Sequence, residues 1–364
     1  MNTFTLKKNF TLTDKTLLSK QKNKTEAAKK LLLTLSVFLL SFAVLSHPSL
    51  QKSAVTDSLS FCFKTLIPSL FPFMVAGELL ILAGFPSLCE KGLGKAFEKI
   101  FGINGKGTAA FVIGAFCGFP VGGKAAISLY LSGDLKKEEA EKLIGICNNC
   151  GIGFLISGVG AGLWGSISFG VILYLCQLFS AVITGFFLFG IKKEKKTHYP
   201  SEKSYQRHSD FSEHTPSPST LGSPQTDFSL SGAISSAVSS SVTAMLKVIG
   251  FVVFFEIILS LLGTFLTTYG ASQILTSLVF AFTEITSGTK SLFSLSLLSS
   301  PALKALAKIL TFTFSAFGGL SVYMQLCAIA IPEGVGTGAY IKTKLMQAFA
   351  CTLLGAACVT IGMV

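Results

Sequence analysis

Apolar segments long enough to cross a lipid bilayer recur along this chain, and short lysine-rich stretches separate them. A helix needs about 20 apolar residues to cross a hydrocarbon core of about 30 Å. Only 13% of the residues are charged and the mean hydropathy is +0.63, whereas soluble chains are about 25% charged. The sequence therefore predicts an all-α, polytopic membrane protein.

The apolar segments predict about seven transmembrane helices and two re-entrant hairpins. A leading helix (residues 31–50) follows a basic N-terminus (residues 1–30), and a cleaved signal peptide is the alternative, although no small-residue cleavage site follows His47 and Pro48. A helix beginning at Ser132 is predicted to continue as a crossing to about Gly160. The other crossings are Leu31–Ser46, Leu59–Ala83, Gly165–Ile191, Lys247–Tyr269, Ala302–Ile331 and Ala339–Met363.

Two apolar segments, Thr108–Leu131 and Gln273–Leu298, are interrupted by glycine or by charged residues. Backbone groups that an interruption frees at membrane depth must be covered by protein, which favours a hairpin over a straight span. The alternative is that the glycines only allow helices to pack closely.

Lysine-rich loops predict the orientation, because positive charge near span ends favours the cytoplasm. Residues 1–30, 86–107, 132–142 and 192–207 are assigned to that side. With the hairpins returning to the side they entered from, the first membrane repeat (55–191) and the second (231–364) have opposite orientations. Residues 192–230, a Ser/Thr/Pro-rich tract, predict a disordered cytoplasmic linker between them.

A short internal sequence similarity supports the division into two repeats. FCGFPVGGK (Phe116–Lys124) and FTEITSGTK (Phe282–Lys290) keep the spacing of the Phe, the last Gly and the Lys. Inverted repeats with interrupted helices at corresponding positions are typical of transporters that bind their solute near the bilayer midplane.

Several charged side chains lie inside apolar segments, where a central charge costs about 3 kcal/mol on insertion scales. Lys64 and Lys247 lie near span ends and are expected to extend to the interface. Lysine and glutamate residues in the other segments either pair to hold the helices together or line a polar cavity. Three carboxylates are the candidates for binding a coupling proton or sodium ion: Glu78, Glu256 and Glu284.

Two motifs suggest other chemistry but lack its context. Gly118–Lys124 has phosphate-loop spacing, but Ala125 replaces the hydroxyl residue that would bind magnesium. Cys147–Cys150 has redox spacing without a βαβ unit, and zinc would need further ligands. The lysines form no single polar face for nucleic acid. We therefore expect no enzyme activity, cofactor, metal or nucleic-acid partner.

Five blocks together resemble the sporulation integral membrane proteins that carry a nucleoside-recognition (Gate) domain. The family pattern has Pro-Gly-Pro after the double asparagine, where this chain has Cys150, Gly151 and Ile152. The resemblance covers about residues 55–363. The blocks are LIPSLFPFMVAGELL (Leu66–Leu80), GAFCGFPVGGKAA (Gly114–Ala126), GDLKKEEAEKLIGICNNCG (Gly133–Gly151), FTEITSGTK (Phe282–Lys290) and FGGLSVYMQ (Phe317–Gln325).

The resemblance implies a multi-pass cell-membrane protein of spore formation that binds or moves a small polar solute, nucleoside-like or a spore-envelope precursor, by alternating access. A non-transporting membrane scaffold for spore-envelope assembly is the alternative. The expected partners are the lipid bilayer, the solute and Na⁺ or H⁺, and a homo-oligomer is compatible with the sequence. The predicted solute-binding residues are Gly118, Pro120, Gly122, Gly123, Lys124, Asn148, Asn149, Glu284, Gly288, Lys290, Gly318, Gly319 and Gln325.

Overall fold

The computed structural model describes residues 12–190, 229–298 and 300–364. Throughout these residues the regular secondary structure is helical. The all-α, polytopic prediction is therefore confirmed. Within the described ranges, six helices are long and apolar enough to cross a membrane: Thr25–Ser46, Pro48–Leu82, Ile167–Gly190, Leu230–Thr268, Pro301–Ala330 and Gly338–Thr360.

The first half opens with two long helical stretches. Helix α1 contains the predicted leading span, and α2 and α3 form one span that begins before the predicted Leu59. Short helical pieces then occupy the predicted surface stretch 86–107. The elements are α1 (Leu12–Ser46), α2 (Pro48–Phe61), a π-helical turn (Cys62–Leu66), α3 (Ile67–Leu82), α4 (Phe85–Cys89), a second π turn (Glu90–Gly94) and α5 (Lys95–Phe101).

Helices α6 (Gly107–Cys117) and α7 (Val121–Leu131) form the first predicted hairpin. Each arm has 11 residues, which at 1.5 Å per residue is about 17 Å and too short to cross the bilayer. At the base of the hairpin Lys106 Nζ lies 2.5 Å from Asp134 Oδ1. The hydrogen bond to Asp134 raises the pKa of Lys106 above its ordinary value.

The next predicted crossing is divided, which corrects the single span expected up to Gly160. Helix α8 (Lys137–Cys147) is separated from a π-helical segment (Gly153–Leu163) by a non-helical stretch. The predicted start at Ser132 is also wrong, because the side chain of Glu139 caps the helix at the Lys136 backbone N–H instead. Helix α9 (Ile167–Gly185) and a final π turn (Phe186–Gly190) complete this half.

The second half repeats this order of elements. Helix α10 begins at Leu230, which corrects the start of the crossing predicted from Lys247. The predicted crossing Ala302–Ile331 is again divided, at Gly318. The elements are α10 (Leu230–Thr268), the hairpin α11 (Gln273–Thr283) and α12 (Ile285–Ser296), the broken helix α13 (Pro301–Phe317) and α14 (Gly319–Ala330), and α15 (Gly338–Thr360).

The first arms of the two hairpins end at equivalent positions of the internal sequence similarity. Helix α6 ends at Cys117 and α11 ends at Thr283, the second residue of each nine-residue motif. The opposite orientation of the halves stays a prediction. The basic N-terminus up to residue 11 and the linker from 191 to 228 lie outside the described residues.

Helices from the two halves pack against one another. Helix α15 lies against α8 and α9 of the first half as well as against α13, and α10 lies against α2 and α3. A single large cluster of buried apolar side chains runs through both halves. This packing brings α15 alongside the break between α8 and the π-helical segment.

Candidate functional site

Glycines let the first hairpin lie directly on the break that follows α8. A Cβ at Gly122 would lie 2.3 Å from the Cys147 carbonyl oxygen, and one at Gly118 would lie 2.4 Å from the Gly151 nitrogen. At the hairpin tip, beside Pro120, the Phe119 N–H donates to the Asn149 carbonyl at 2.7 Å. Gly118 and Gly122 therefore allow the hairpin and the break to pack closely, which was the alternative role considered for the glycines of Thr108–Leu131.

The non-helical stretch after α8 carries the two asparagines of the CNNC motif, and both are buried. Asn149 Oδ1 accepts hydrogen bonds from Lys344 Nζ and from Gln347 Nε2, each at 2.8 Å. Asn148 Nδ2 lies 3.4 Å from the Tyr340 hydroxyl. We call Asn148, Asn149, Gln177, Tyr340, Lys344 and Gln347 the break cluster.

Gln177 of α9 binds the backbone of the break at Cys150. Its Nε2 donates to the Cys150 carbonyl at 2.9 Å, and its Oε1 accepts from the Cys150 N–H at 3.3 Å. The Gln177 carbonyl in turn accepts from Gln347 Nε2 at 3.2 Å. The backbone N–H and carbonyl of Cys150, which the break leaves without helical partners, are thus satisfied by the Gln177 amide of α9.

Lys344 is the charged residue of the break cluster, with 1% of its surface exposed. Its Nζ donates to Asn149 Oδ1 and to Gln347 Oε1, each at 2.8 Å. The ion pairs formed among the described residues do not include it. The partners of this buried ammonium are amide oxygens and not a carboxylate, and burial of a charge without a counter-ion is costly.

Asn148 has an unused acceptor in the same place. Its Oδ1 is buried and makes no hydrogen bond within the described residues. It faces Gly123, where an added Cβ would lie 3.3 Å from it and 2.9 Å from the Leu326 side chain. Of the predicted solute-binding residues, Asn148, Asn149 and Gly123 thus lie together.

The second break lies against the tip of the second hairpin. Gly318 and Gly319 have φ values of +86° and +83°, and Gly319 approaches the Thr283 carbonyl and the Ile285 nitrogen. Gln325 lies in α14, the helix that follows the second break. It is buried, and its Oε1 has no hydrogen-bond partner among the described residues. Gly288 packs against the Ala281 backbone and joins the two arms of this hairpin.

Lys124 does not reach the break cluster. Its Nζ forms an ion pair with Glu78 Oε1 at 2.5 Å and also contacts the Ser240 hydroxyl. The pair links α7 of the hairpin to α3, and Ser240 belongs to α10. Glu78, one of the three predicted ion-coupling residues, thus forms an ion pair with a lysine.

The other two predicted ion-coupling carboxylates meet at Ser287. Glu284 is buried at the start of α12, where its Oε2 accepts from the Ser287 N–H at 2.7 Å. The Ser287 hydroxyl contacts Glu256 Oε2 on α10. Neither carboxylate forms an ion pair in the described part of the chain.

Lys290 faces a cavity of about 980 Å³ that lies between the two halves. The walls come from residues 61–73, from the π-helical segment after the first break and from α12. The Lys290 ammonium lies 4.0 Å from the centre of the Phe61 ring. The structure therefore separates Lys290 from Asn148 and Asn149, with which it was grouped on sequence.

Four members of the break cluster were not predicted from the sequence. Tyr340, Lys344 and Gln347 occupy positions i, i+4 and i+7 of α15 and therefore share one helix face. A periodic polar stripe inside an apolar span is a signal that sequence reasoning could have used. Gln177 is a lone amide in α9 and carries no such signal.

The cysteines of the CNNC motif donate hydrogen bonds to backbone carbonyls of other helices. Cys147 Sγ donates to the Gly122 carbonyl at 3.2 Å, and Cys150 Sγ donates to the Ser315 carbonyl at 3.2 Å. The described residues contain no group of three or more His, Cys, Asp or Glu side chains that could hold a metal ion.

The chain is similar over 174 residues to the sporulation integral membrane protein YlbJ of Bacillus subtilis (strain 168), at 28% identity. The match covers 48% of this chain and 43% of that protein, so the chain matches less than half of its relative's length. No family model and no solved structure matches. The similarity supports a relationship to the sporulation membrane proteins, and the nucleoside-recognition domain stays a prediction.

Proposed function

We propose that this multi-pass membrane protein acts in sporulation by binding a small polar solute and moving it across the membrane. The sporulation role rests on the similarity to a sporulation integral membrane protein of Bacillus subtilis. The transport role rests on one observation: each half has a broken helix whose break meets a hairpin tip, and the first break carries a buried polar cluster. Helix breaks expose backbone groups and helix ends that can bind a polar solute in a dry environment.

The break cluster favours a solute with a negative charge. Lys344 offers a buried ammonium without a carboxylate partner, and the amides of Asn148 and Asn149 offer donors and acceptors beside it. A carboxylate or phosphate would compensate the charge of the lysine. A nucleoside-like solute would use the amide groups instead.

Alternating access would come from movement of the two halves around the breaks. Coupling to a proton or a sodium ion would use Glu256 and Glu284, which face each other across Ser287. Glu78 is a weaker candidate because Lys124 already pairs with it at 2.5 Å.

Thermal unfolding of the purified protein with nucleosides, amino acids and dicarboxylates tests the solute. A ligand at 100 times its Kd stabilises the folded state by about 2.7 kcal/mol, which raises the unfolding temperature. We expect a dicarboxylate to give the largest rise, since it offers Lys344 a carboxylate that nucleosides lack and carries no ammonium group, which an amino acid does. No rise with any member of the three classes would argue against the proposed function.

Two variants test the location of the site. Lys344→Met removes the buried charge with similar side-chain length, and we expect it to abolish both the thermal shift and uptake into proteoliposomes. Lys342→Met changes an exposed lysine two residues away on the same helix and should leave both unchanged. Equal responses of the two variants would place the solute elsewhere.

A further inference from the structure

The cavity beside Lys290 has a different chemistry from the break cluster. Among the described residues, its only charged lining side chains are Lys64 and Lys290. Several hydroxyl side chains also line it, including Ser69, Ser157 and Thr289. Ser69 and Thr289 donate their hydroxyl protons to the Leu66 and Thr286 carbonyls. The two lysines therefore make the cavity a positively charged site, and no carboxylate is among its described lining residues.

The rest of the cavity wall is mostly apolar, and part of it is exposed at the surface of the described structure. Its lining includes the rings of Phe61, Phe73, Phe116 and Phe154. Phe116 has 52% of its surface exposed, and the neighbouring Phe63 has 63%. In a membrane protein, exposed aromatic rings of this kind contact lipid tails, so the cavity is continuous with a lipid-facing surface.

Lys290 is held in place by this surface. Its ammonium lies over the Phe61 ring, a cation–π contact that fixes the charge at the cavity wall without neutralising it. Lys64 is exposed on the π-helical turn Cys62–Leu66, one helical turn from Phe61. Two positive charges at an apolar cavity of about 980 Å³ match a ligand with an anionic head and an apolar tail.

We propose that this cavity binds an acidic phospholipid, with the phosphate at Lys64 and Lys290 and an acyl chain along the phenylalanine rings. Basic pockets between transmembrane helices are known to bind acidic head groups. The inference is independent of the solute proposed above, because neither lysine contacts the break cluster. It gives Lys290 a lipid-binding role in place of the solute-binding role predicted from the sequence.

Lipid titration of the full-length protein in detergent tests the proposal, with the unfolding temperature as the readout. We expect phosphatidylglycerol to raise it at concentrations where phosphatidylcholine of the same chain length does not. The Lys64→Gln/Lys290→Gln double variant should bind phosphatidylglycerol about fivefold more weakly for each lysine removed. A matched double variant, Lys91→Gln/Lys342→Gln, removes two exposed lysines outside the cavity and should bind as the wild type does.

Free anions form the second arm of the experiment. If inorganic phosphate raises the unfolding temperature as much as phosphatidylglycerol does, the site takes a free anion and the lipid assignment is wrong. If the cavity and control double variants lose the lipid effect equally, the lipid binds elsewhere. Should the cavity double variant fail to fold, Lys64→Gln alone, at an exposed position, must still weaken lipid binding.

Discussion

Lys344 shows how a charged residue can be kept inside a membrane protein without a carboxylate. Two amide oxygens accept from its Nζ at 2.8 Å, and both belong to side chains that are themselves bound by other groups. The hydrogen bond to Asn149 connects Lys344 to the break. Gln347, the other acceptor, connects it to α9, because Gln347 Nε2 donates to the Gln177 carbonyl. The cluster therefore depends on every member, because each amide lost leaves a buried donor or acceptor unpaired.

Asn149→Ala is expected to destabilise the protein and to weaken the proposed solute binding. The substitution leaves Lys344 with one acceptor and removes an acceptor of Gln347, at a cost of about 1–3 kcal/mol for each buried unpaired group. Chemical unfolding in detergent measures the change. Thr352→Ala removes a hydroxyl that pairs with Thr313 away from the break, and should cost less.

Glu78 and Glu256 are expected to behave differently when neutralised. Glu78→Gln breaks a partly buried ion pair and should cost about 2 kcal/mol of stability, while the ion dependence of uptake is kept. Glu256→Gln leaves no lysine unpaired and should remove the dependence of uptake on a sodium or proton gradient. Uptake measured at several gradients decides this, and retained ion dependence in Glu256→Gln would exclude that residue.

At the scale of the helices, the two breaks arise in different ways. The second has local causes, since Gly318 and Gly319 both adopt positive φ. The first break forms although this chain lacks the Pro-Gly-Pro pattern of the family that it resembles. Tertiary hydrogen bonds from Phe119 and Gln177 stabilise it, and Gly151 allows the hairpin backbone to approach.

The hairpin packing predicts a strong effect of adding one methyl group. Gly122→Ala places a Cβ 2.3 Å from the Cys147 carbonyl and 2.7 Å from the Gly114 Cα, so backbone must move. We expect a loss of about 3 kcal/mol, as overpacking of a tight contact typically costs 1–3 kcal/mol or more. Thermal unfolding measures it.

Gly250→Ala is the matched control for that substitution. Gly250 is also helical, but a Cβ there meets no atom within 4 Å. It should be neutral or stabilise the helix by up to about 1 kcal/mol. Equal effects of the two substitutions would show that the hairpin does not pack on the break.

At the scale of the whole molecule, the halves share an order of elements and are joined through residues 192–230. A transporter needs this segment only as a tether, whereas a scaffold would use it to recruit other proteins. Deleting residues 195–228 should therefore leave solute uptake in proteoliposomes within about twofold of the wild type, provided the shortened tether still joins the halves. Loss of sporulation function with uptake intact would favour the scaffold instead.

The sequence by itself determined the class of protein and the location of the hairpins. Long apolar segments require helices in a membrane, and the glycine interruption at Gly118 acts through local backbone geometry, since its φ is +78°. Asn148 and Asn149, two adjacent amides in the predicted crossing to Gly160, were also among the predicted solute-binding residues.

Only the tertiary structure decided which polar groups meet. Lys344 joins Asn149 although 195 positions separate them in the chain, and Lys290 lies in a separate cavity although the motif containing it echoes that of Lys124. The physical reason is that a buried charge must find its partners in three dimensions. The packing of α15 against α8 and α9 sets those partners, and no local pattern encodes that packing.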